Sequence, residues 1–273
     1  MMDRRLTAFS GRVALEPLRG QVAAEAFVPG AAGAVAVPLA DLCDKPGGAR
    51  DRQVMRGDAL LAVDRRDGAV FVRMEKDGYC GWLREAEVGP AVAATYWVAS
   101  VGTHIYPEPR VEARAHAALP HGARLAVLEA DAKWARVEGG FVPAMHLRAV
   151  GDWFADPVNV AELFVGTPYL WGGNSRDGID CSGLVQAAWL ACGLACPGDS
   201  DLQQGLGEAL PEEAALRRGD LIFWKGHVAL AVDGARLIHA NGHSMDVRHE
   251  GIAAAIARIA AQGGGPVTAR RRV

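Results

Sequence analysis

Cys181 stands at the junction between a polar, glycine-rich approach, WGGNSRDGI, and an apolar run, CSGLVQAAWLAC. A thiol acts as a nucleophile through its thiolate, so its surroundings decide whether it can react. Asp180 fits the N-cap of a helix beginning at Cys181. The unpaired N–H groups and the dipole of a helix start favour negative charge, so this position is expected to lower the cysteine pKa. The glycines before it let a substrate backbone come close to the sulfur.

A thiol nucleophile needs a base. His227 opens the apolar stretch HVALAV, and His239 lies in RLIHANGH, with Asp233 and Gly234 marking a turn between them. If the loop is the three residues 233–235, Val232 pairs with Arg236 and His227 faces Asn241. His239 then sits diagonally across on the same face, within side-chain reach. A two-residue turn would send the two histidines to opposite faces. The three-residue register makes a triad: Cys181 attacks, His227 takes its proton, and His239 shares the other ring hydrogen of His227. A Cys-His-His zinc site is the competing reading, since three protein ligands suffice for catalytic zinc. Nothing near these residues resembles a metal motif, so no metal and no cofactor is expected. His243 and His249 read as surface residues.

The elements that must hold these groups are legible in outline. Residues 181–192 have helical character and end at Gly193 as a C-cap. DLIFW, HVALAV and RLIHA read as strands, and WFADPVNVAELF has helical spacing before a Gly-Thr-Pro break. A helix followed by antiparallel strands makes residues 151–262 an α+β domain. Residues 263–273, GGGPVTARRRV, read as a frayed tail. Cys192 and Cys196 read as core residues at the helix end.

Residues 1–30 read as a lead-in, and residues 31–150 as short strands with Gly- and Asp-rich turns. That region repeats itself. LCDKP (42–46) resembles IYPEP (105–109), RGDALLAV (56–63) resembles HGARLAVL (121–128), and FVRM (71–74) resembles WARV (134–137). GYCGWL (78–83) stands where the second copy has GFVPAM (140–145). Two small β-barrels, 31–93 and 94–150, are expected; one irregular β-domain is the alternative.

Composition limits the remaining classes. The chain has 273 residues, half of them hydrophobic, with 22% charged residues and a net charge of −3. There is no basic stripe for nucleic acid. No apolar run approaches the roughly 18 residues of a membrane span. The five cysteines are scattered and odd in number, which argues against a disulfide framework. The early arginines are followed by no apolar segment of a secretory signal, so a cytoplasmic location is expected; a periplasmic or secreted one would follow if a leader had been removed.

Taken in order, TPYLWGGNSRDGIDCSGLVQAAW, PGDSDLQQ, RRGDLIFWKGHVALAV and LIHANG resemble the NlpC-type cell-wall cysteine peptidases, over roughly residues 155–260. The two preceding units resemble the bacterial SH3-like domains often fused to such enzymes. The resemblance implies a papain-like α+β domain with Cys181 as nucleophile, His227 as base and His239 as third member. It implies that Tyr169 assists the Cys181 N–H at the oxyanion site, and that Asp180 and Ser200 contact the substrate peptide. Gly198 stands where the pattern leads one to expect a polar residue.

The substrate implied is a murein stem peptide, L-Ala-γ-D-Glu-diamino acid, cut between γ-D-Glu and meso-diaminopimelate or lysine. Some relatives require a free N-terminal L-Ala, bound by an acidic residue and a tyrosine of the first SH3-like domain; Asp44 and Tyr79 match them. A cytoplasmic enzyme of this kind fits recycling of released wall peptides. An acyltransferase or amidase on the same thiol, or an inert peptide-binding module, are the other readings. No nucleic-acid or membrane partner is expected, and the sequence leaves the oligomeric state open.

Overall fold

The structure, a computed structural model, describes residues 2–273; Met1, the first residue of the expected lead-in, lies outside them. The chain divides after Asp152 into two compact units.

In the N-terminal unit, β1 (Val13–Leu15) pairs in parallel with β2 (Ala26–Val28). The strands β3 (Ala31–Val35), β4 (Leu39–Cys43), β5 (Arg50–Met55), β6 (Ala59–Arg66), β7 (Ala69–Met74), β8 (Cys80–Arg84) and β9 (Val88–Pro90) form one sheet. Its order is β5-β4-β8-β7-β6-β3-β9 and every pairing is antiparallel.

Strand β7, AVFVRM, is apolar on both faces, which a sheet exposed on one side does not require. Alternation explains it. Val70, Val72 and Met74 enter one core with Leu42, Leu60, Tyr79 and Leu83. Ala69 and Phe71 enter a second core with Trp82, Val63 and the lead-in residues Ala8, Val13 and Leu15. The lead-in is thus the cover of the second face. Arg12 pairs with the buried Asp64, and Arg4 holds Asp51 at 2.7 Å. Burying each large side chain there stabilises the unit by about 1.5–3 kcal/mol.

Residues 96–149 carry β10 (Tyr96–Val98), β11 (Gly102–Ile105), β12 (Ala117–Pro120), β13 (Arg124–Leu125), β14 (Val127–Ala130), β15 (Trp134–Val137), β16 (Gly140–Pro143) and β17 (Leu147–Ala149). They surround a separate core of Val98, Ile105, Leu119, Leu125, Val137 and Val142. Their pairings repeat those of the preceding strands. β3 pairs with β6 and β9, and β10 with β13 and β17. The ladder β6-β7-β8 recurs as β14-β15-β16. Even the Cys43–Trp82 pairing has a counterpart in the Tyr106–Phe141 bridge.

The C-terminal unit begins with α1 (Pro157–Glu162), capped by the Asp156 carboxylate on the Val158 N–H. It continues through the short hairpin β18 (Asn174–Ser175) and β19 (Gly178–Ile179) to α2 (Cys181–Ala191) and α3 (Ser200–Gln203). Then come β20 (Glu208–Ala209), β21 (Leu221–Trp224), β22 (His227–Ala231), β23 (Arg236–Asn241), β24 (Asp246–Gly251), α4 (Ile252–Ala261) and β25 (Ala269–Arg272). The sheet order is β20-β25-β21-β22-β23-β24. α2 lies against β22 and β23. α4 packs Ile252 and Ala255 onto Ile222, Trp224, Ala229 and Leu237. Helix α2 stops in a Schellman turn: Gly193 takes φ +73°, Leu194 N–H bonds Trp189 O at 3.0 Å, and Gly193 N–H bonds Leu190 O at 3.1 Å.

The expected tail is a correction. Residues 269–272 form β25, inside the sheet, and Arg272 grips the buried Asp220 through two bonds of 2.8 and 2.6 Å. The run of three arginines, Arg270, Arg271 and Arg272, hid a strand whose anchor lies far away in the chain. Among the described residues, no helix is long and apolar enough to cross a membrane, and all five cysteines are free.

Candidate active site

The approach to Cys181 is built from close backbone contacts. A Cβ on Gly183, in the first turn of α2, would lie 2.5 Å from Gly173 O, and one on Gly173 would lie 2.5 Å from Gly178 O. Only glycine lets the loop and the helix start touch this closely. Asp180 is the N-cap, as expected: its Oδ1 accepts from Gly183 N–H at 2.6 Å and from the Ser182 hydroxyl at 2.9 Å. Its Oδ2 accepts from Gly172 N–H at 2.9 Å, which ties the glycine loop to the helix. Much of its hydrogen-bonding capacity therefore serves the framework.

Cys181 is buried, and burial decides its protonation. The thiol is pushed up to about 12, first by burial and then by the Asp180 charge; the N–H groups of Val228, Ser182 and Cys181 itself pull the other way. The helix start was expected to lower this pKa. It acts in that direction but is outweighed, because a buried sulfur loses the water that would solvate a thiolate.

The β22–β23 hairpin has the three-residue register. Val232 N–H bonds Arg236 O at 2.9 Å, with Ala231 opposite Leu237 and Leu230 opposite Ile238. His227 Nε2 consequently lies 2.9 Å from His239 Nδ1. His227 also packs on Trp224, ring centroids 5.6 Å apart. Burial, His239 and Arg258 depress His227 to about 3, against the pull of Glu250. Burial depresses His239 to about 4, again opposed by Glu250. With the thiol near 12 and the imidazole near 3, the resting pair is neutral.

The bonding pattern assigns the tautomers. If His227 is to accept the thiol proton at Nδ1, its hydrogen resides on Nε2 and is donated to His239 Nδ1. The hydrogen of His239 is then on Nε2, which lies 3.1 Å from Glu250 Oε2, in a contact bent away from ideal hydrogen-bond geometry. Glu250 is held in turn by Arg258 through bonds of 2.9 and 2.7 Å. That clamp keeps the Glu250 carboxyl below its ordinary range. Sequence reasoning missed both Glu250 and Arg258. The signal was the pairing of Glu250 with Leu237, which sets the carboxylate diagonal to His239 on one face.

Tyr169 is half-buried and lies close enough to Cys181 and Asp180 for their charges, after burial, to raise its hydroxyl pKa. Ser200 is nearly buried and opens α3, which packs against α2 and β22. Gln203 bonds Ser182 O at 2.9 Å and Pro197 O at 3.0 Å, fixing α3 to α2. Cys196 is buried and Cys192 is half-buried at the end of α2.

Asp44 and Tyr79 belong to the N-terminal unit. Asp44 is exposed after β4. Tyr79 is only 2% exposed, in the core with Leu42, Leu60 and Leu83, and the Arg52 guanidinium lies 5.4 Å from its ring centre. Arg4 from the lead-in feels the charges of both residues, although its main partner is Asp51. Among the described residues, no group of three or more His, Cys, Asp or Glu side chains is arranged to hold a metal ion.

Residues 166–257 match the NlpC/P60 family, and residues 42–88 match the bacterial dipeptidyl-peptidase Sh3 domain. A gamma-D-glutamyl-L-lysine dipeptidyl-peptidase of Bacillus cereus (strain ATCC 10987 / NRS 248) is 38% identical over 93 residues, 31% of this chain and 28% of that protein. The Bacillus subtilis (strain 168) protein of the same name is 35% identical over 102 residues, 34% of each chain. The matched stretch thus spans about a third of these relatives. A crystal structure of an NlpC/P60 family protein from Bacillus cereus ATCC 10987 superposes with a TM-score of 0.74 at 21% identity, covering 89% of this chain and 99% of that one; it establishes a shared fold. The cysteine at the helix start and the two bonded histidines therefore lie in a domain of the NlpC/P60 family, preceded by a bacterial SH3 domain.

Proposed function

We propose that this protein is a cysteine endopeptidase of murein stem peptides. Its bond would be the one between γ-D-Glu and the diamino acid of L-Ala-γ-D-Glu-diamino acid, in the recycling of released wall peptides. The observation that carries this reading is the His227–His239 bond of 2.9 Å on a sheet whose Val228 N–H faces the Cys181 sulfur. The names of the relatives, gamma-D-glutamyl-L-lysine dipeptidyl-peptidases, support the substrate class.

The chemistry follows from the neutral pair. As substrate displaces water, the Cys181 proton passes to His227 and the sulfur attacks the γ-carbonyl carbon of D-Glu. The developing oxyanion is met by the N–H of Cys181 at the helix start and by the Tyr169 hydroxyl. His227 then gives its proton to the leaving amine, the C–N bond breaks and a thioester remains. Water, deprotonated by His227, attacks the thioester and restores the thiol. His239 and Glu250 stabilise the imidazolium while it exists.

The remaining parts of the reading are of the same standing. Asp180 and Ser200 would contact the peptide beside the nucleophile. Asp44 and Tyr79 would bind the free N-terminal amine, a carboxylate and a hydroxyl suiting an ammonium. Residues 94–150 would be a second SH3-like barrel, a reading supported by the repeated strand pairings within them. A cytoplasmic setting suits a requirement for free peptides.

The test is mass spectrometry of purified protein with L-Ala-γ-D-Glu-meso-diaminopimelate and its N-acetylated form. Release of L-Ala-D-Glu from the free peptide only is the expected result. Cleavage of both forms removes the amine requirement and keeps the peptidase. Cleavage of neither removes the peptidase and points to acyl transfer or binding.

A further inference from the structure

A pocket of about 160 Å³ opens beside His227, within the C-terminal unit. Its lining includes Trp224, Lys225, Asn241, Arg258 and Gln262. No carboxylate of the described residues lines it. Two of its residues carry buried N–H groups with no partner among the described residues: the Trp224 indole Nε1 and the Asn241 amide Nδ2. Asn241 is 5% exposed, and its Oδ1 is already used, accepting from Ser244 N–H at 2.9 Å and the Ser244 hydroxyl at 3.0 Å. A buried donor without an acceptor is costly, and both of these belong to residues around one pocket. Lys225 adds an exposed ammonium at the rim, while most of the Arg258 charge is answered by Glu250.

Position says which acceptor. In the reaction proposed above, on which this inference rests, His227 protonates the departing amine. The departing residue must therefore lie at His227, a residue that also lines this pocket. We infer that the pocket receives the leaving amino acid through its carboxylate, with Lys225 as the counter-charge and the Trp224 and Asn241 N–H groups as donors. The pocket thereby selects substrates whose leaving residue is anionic at its end, and it disfavours amidated ones.

Binding and hydrolysis can be read separately. The Cys181→Ala protein, labelled with ¹⁵N, is titrated with L-lysine, L-lysinamide and meso-diaminopimelate, and the Trp224 indole N–H resonance is followed. L-Lysine is expected to shift that resonance and to bind at least about fivefold tighter than L-lysinamide, the ratio an ion pair of about 1 kcal/mol gives. Lys225→Ala, at an exposed position, is expected to bring the two within about twofold. A further gain with meso-diaminopimelate that Lys225→Ala removes assigns the distal carboxylate to Lys225; no gain assigns the α-carboxylate.

Equal binding of L-lysine and L-lysinamide, or an unmoved indole resonance, overturns the pocket assignment. Hydrolysis by the unmodified protein is scored on its own. Carboxylate-selective binding without any cleavage leaves the pocket and removes the peptidase. Cleavage with unselective binding does the reverse.

Discussion

His227 Nε2 and His239 Nδ1 are 2.9 Å apart, although twelve residues and a turn separate them in the chain. In the proposed triad this bond fixes which nitrogen of His227 is left for the thiol, so it would orient the base as well as support it. Cys181→Ser and His227→Ala are each expected to lower kcat by about 10³-fold or more while the thermal transition stays close to that of the parent. His239→Ala is expected to lose less, because it removes the orienting group and leaves the base. Peptide hydrolysis and thermal unfolding, measured on the same preparations, check both halves. Retained activity in either of the first two variants sinks the triad.

Glu250 and Arg258 pull His227 in opposite directions, the carboxylate raising its pKa and the guanidinium lowering it. Glu250→Gln is therefore expected to move the His227 titration to lower pH and Arg258→Met to move it to higher pH. NMR titration of the imidazole ring in the Cys181→Ala background reads both shifts. Glu250→Gln also weakens support for the imidazolium formed during catalysis, and is expected to lower kcat by about tenfold with KM within twofold. A merely structural role for Glu250 predicts instead a lower thermal transition with no movement of the titration.

A neutral thiol has a kinetic signature. With Cys181 pushed up to about 12 and His227 down to about 3, there is no resting thiolate–imidazolium pair to alkylate. The rate of carbamidomethylation of Cys181 by iodoacetamide is expected to rise steadily with pH between about 5 and 9, following the thiolate fraction. Peptide mapping separates it from Cys80, also held up to about 12, and Cys192, about 11. A flat rate over that range would mean that an ion pair already exists.

Burial of histidine also makes the fold sensitive to acid. His121, in the N-terminal unit, is buried and depressed to about 4 by desolvation. Between pH 4 and about 6.5 the unfolded chain binds a proton there that the folded chain does not, so stability rises with pH across that window. The contribution is complete above about pH 6.5 and is lost as the pH falls to the folded value, an effect on the order of 3 kcal/mol. The urea midpoint of this unit, followed by tryptophan fluorescence, is expected to fall over that range; the Trp97 ring lies 5.6 Å from His121. His121→Asn is expected to flatten the dependence.

What the sequence disclosed was what local chemistry sets. Asp180 as N-cap, Gly193 after α2, and the Asp233–Ala235 turn with its register all follow from short-range rules, and together they brought His227 to His239. Non-local relations stayed hidden. Glu250 reads as one more charge in DVRHEG until β24 is known to lie beside β23. Ala8, Val13 and Leu15 are too scattered to announce that they cover Phe71 and Trp82. The protonation of Cys181 turned on burial, which a helix-start argument does not contain.

Arg272 shows how far the same blindness reached. Its guanidinium holds an aspartate that is 2% exposed, and Asp220 Oδ2 also accepts from Arg217 N–H at 2.8 Å ahead of β21. Arg272→Ala leaves that carboxylate buried without its counter-charge. Because the arginine itself is partly exposed, the loss is expected to be smaller than that from breaking a fully buried pair. Asp220→Asn on top of it is expected to recover part of the loss, since the orphaned charge is then gone. Removing residues 267–273 also takes β25 out from between β20 and β21, and is expected to abolish cooperative unfolding of the C-terminal unit and its hydrolytic activity together. Chemical denaturation of the point variants and of the truncated chain checks the order: parent most stable, the double variant next, Arg272→Ala below it. A truncated chain as stable as the parent would mean that β25 is dispensable and that the frayed tail was the right description.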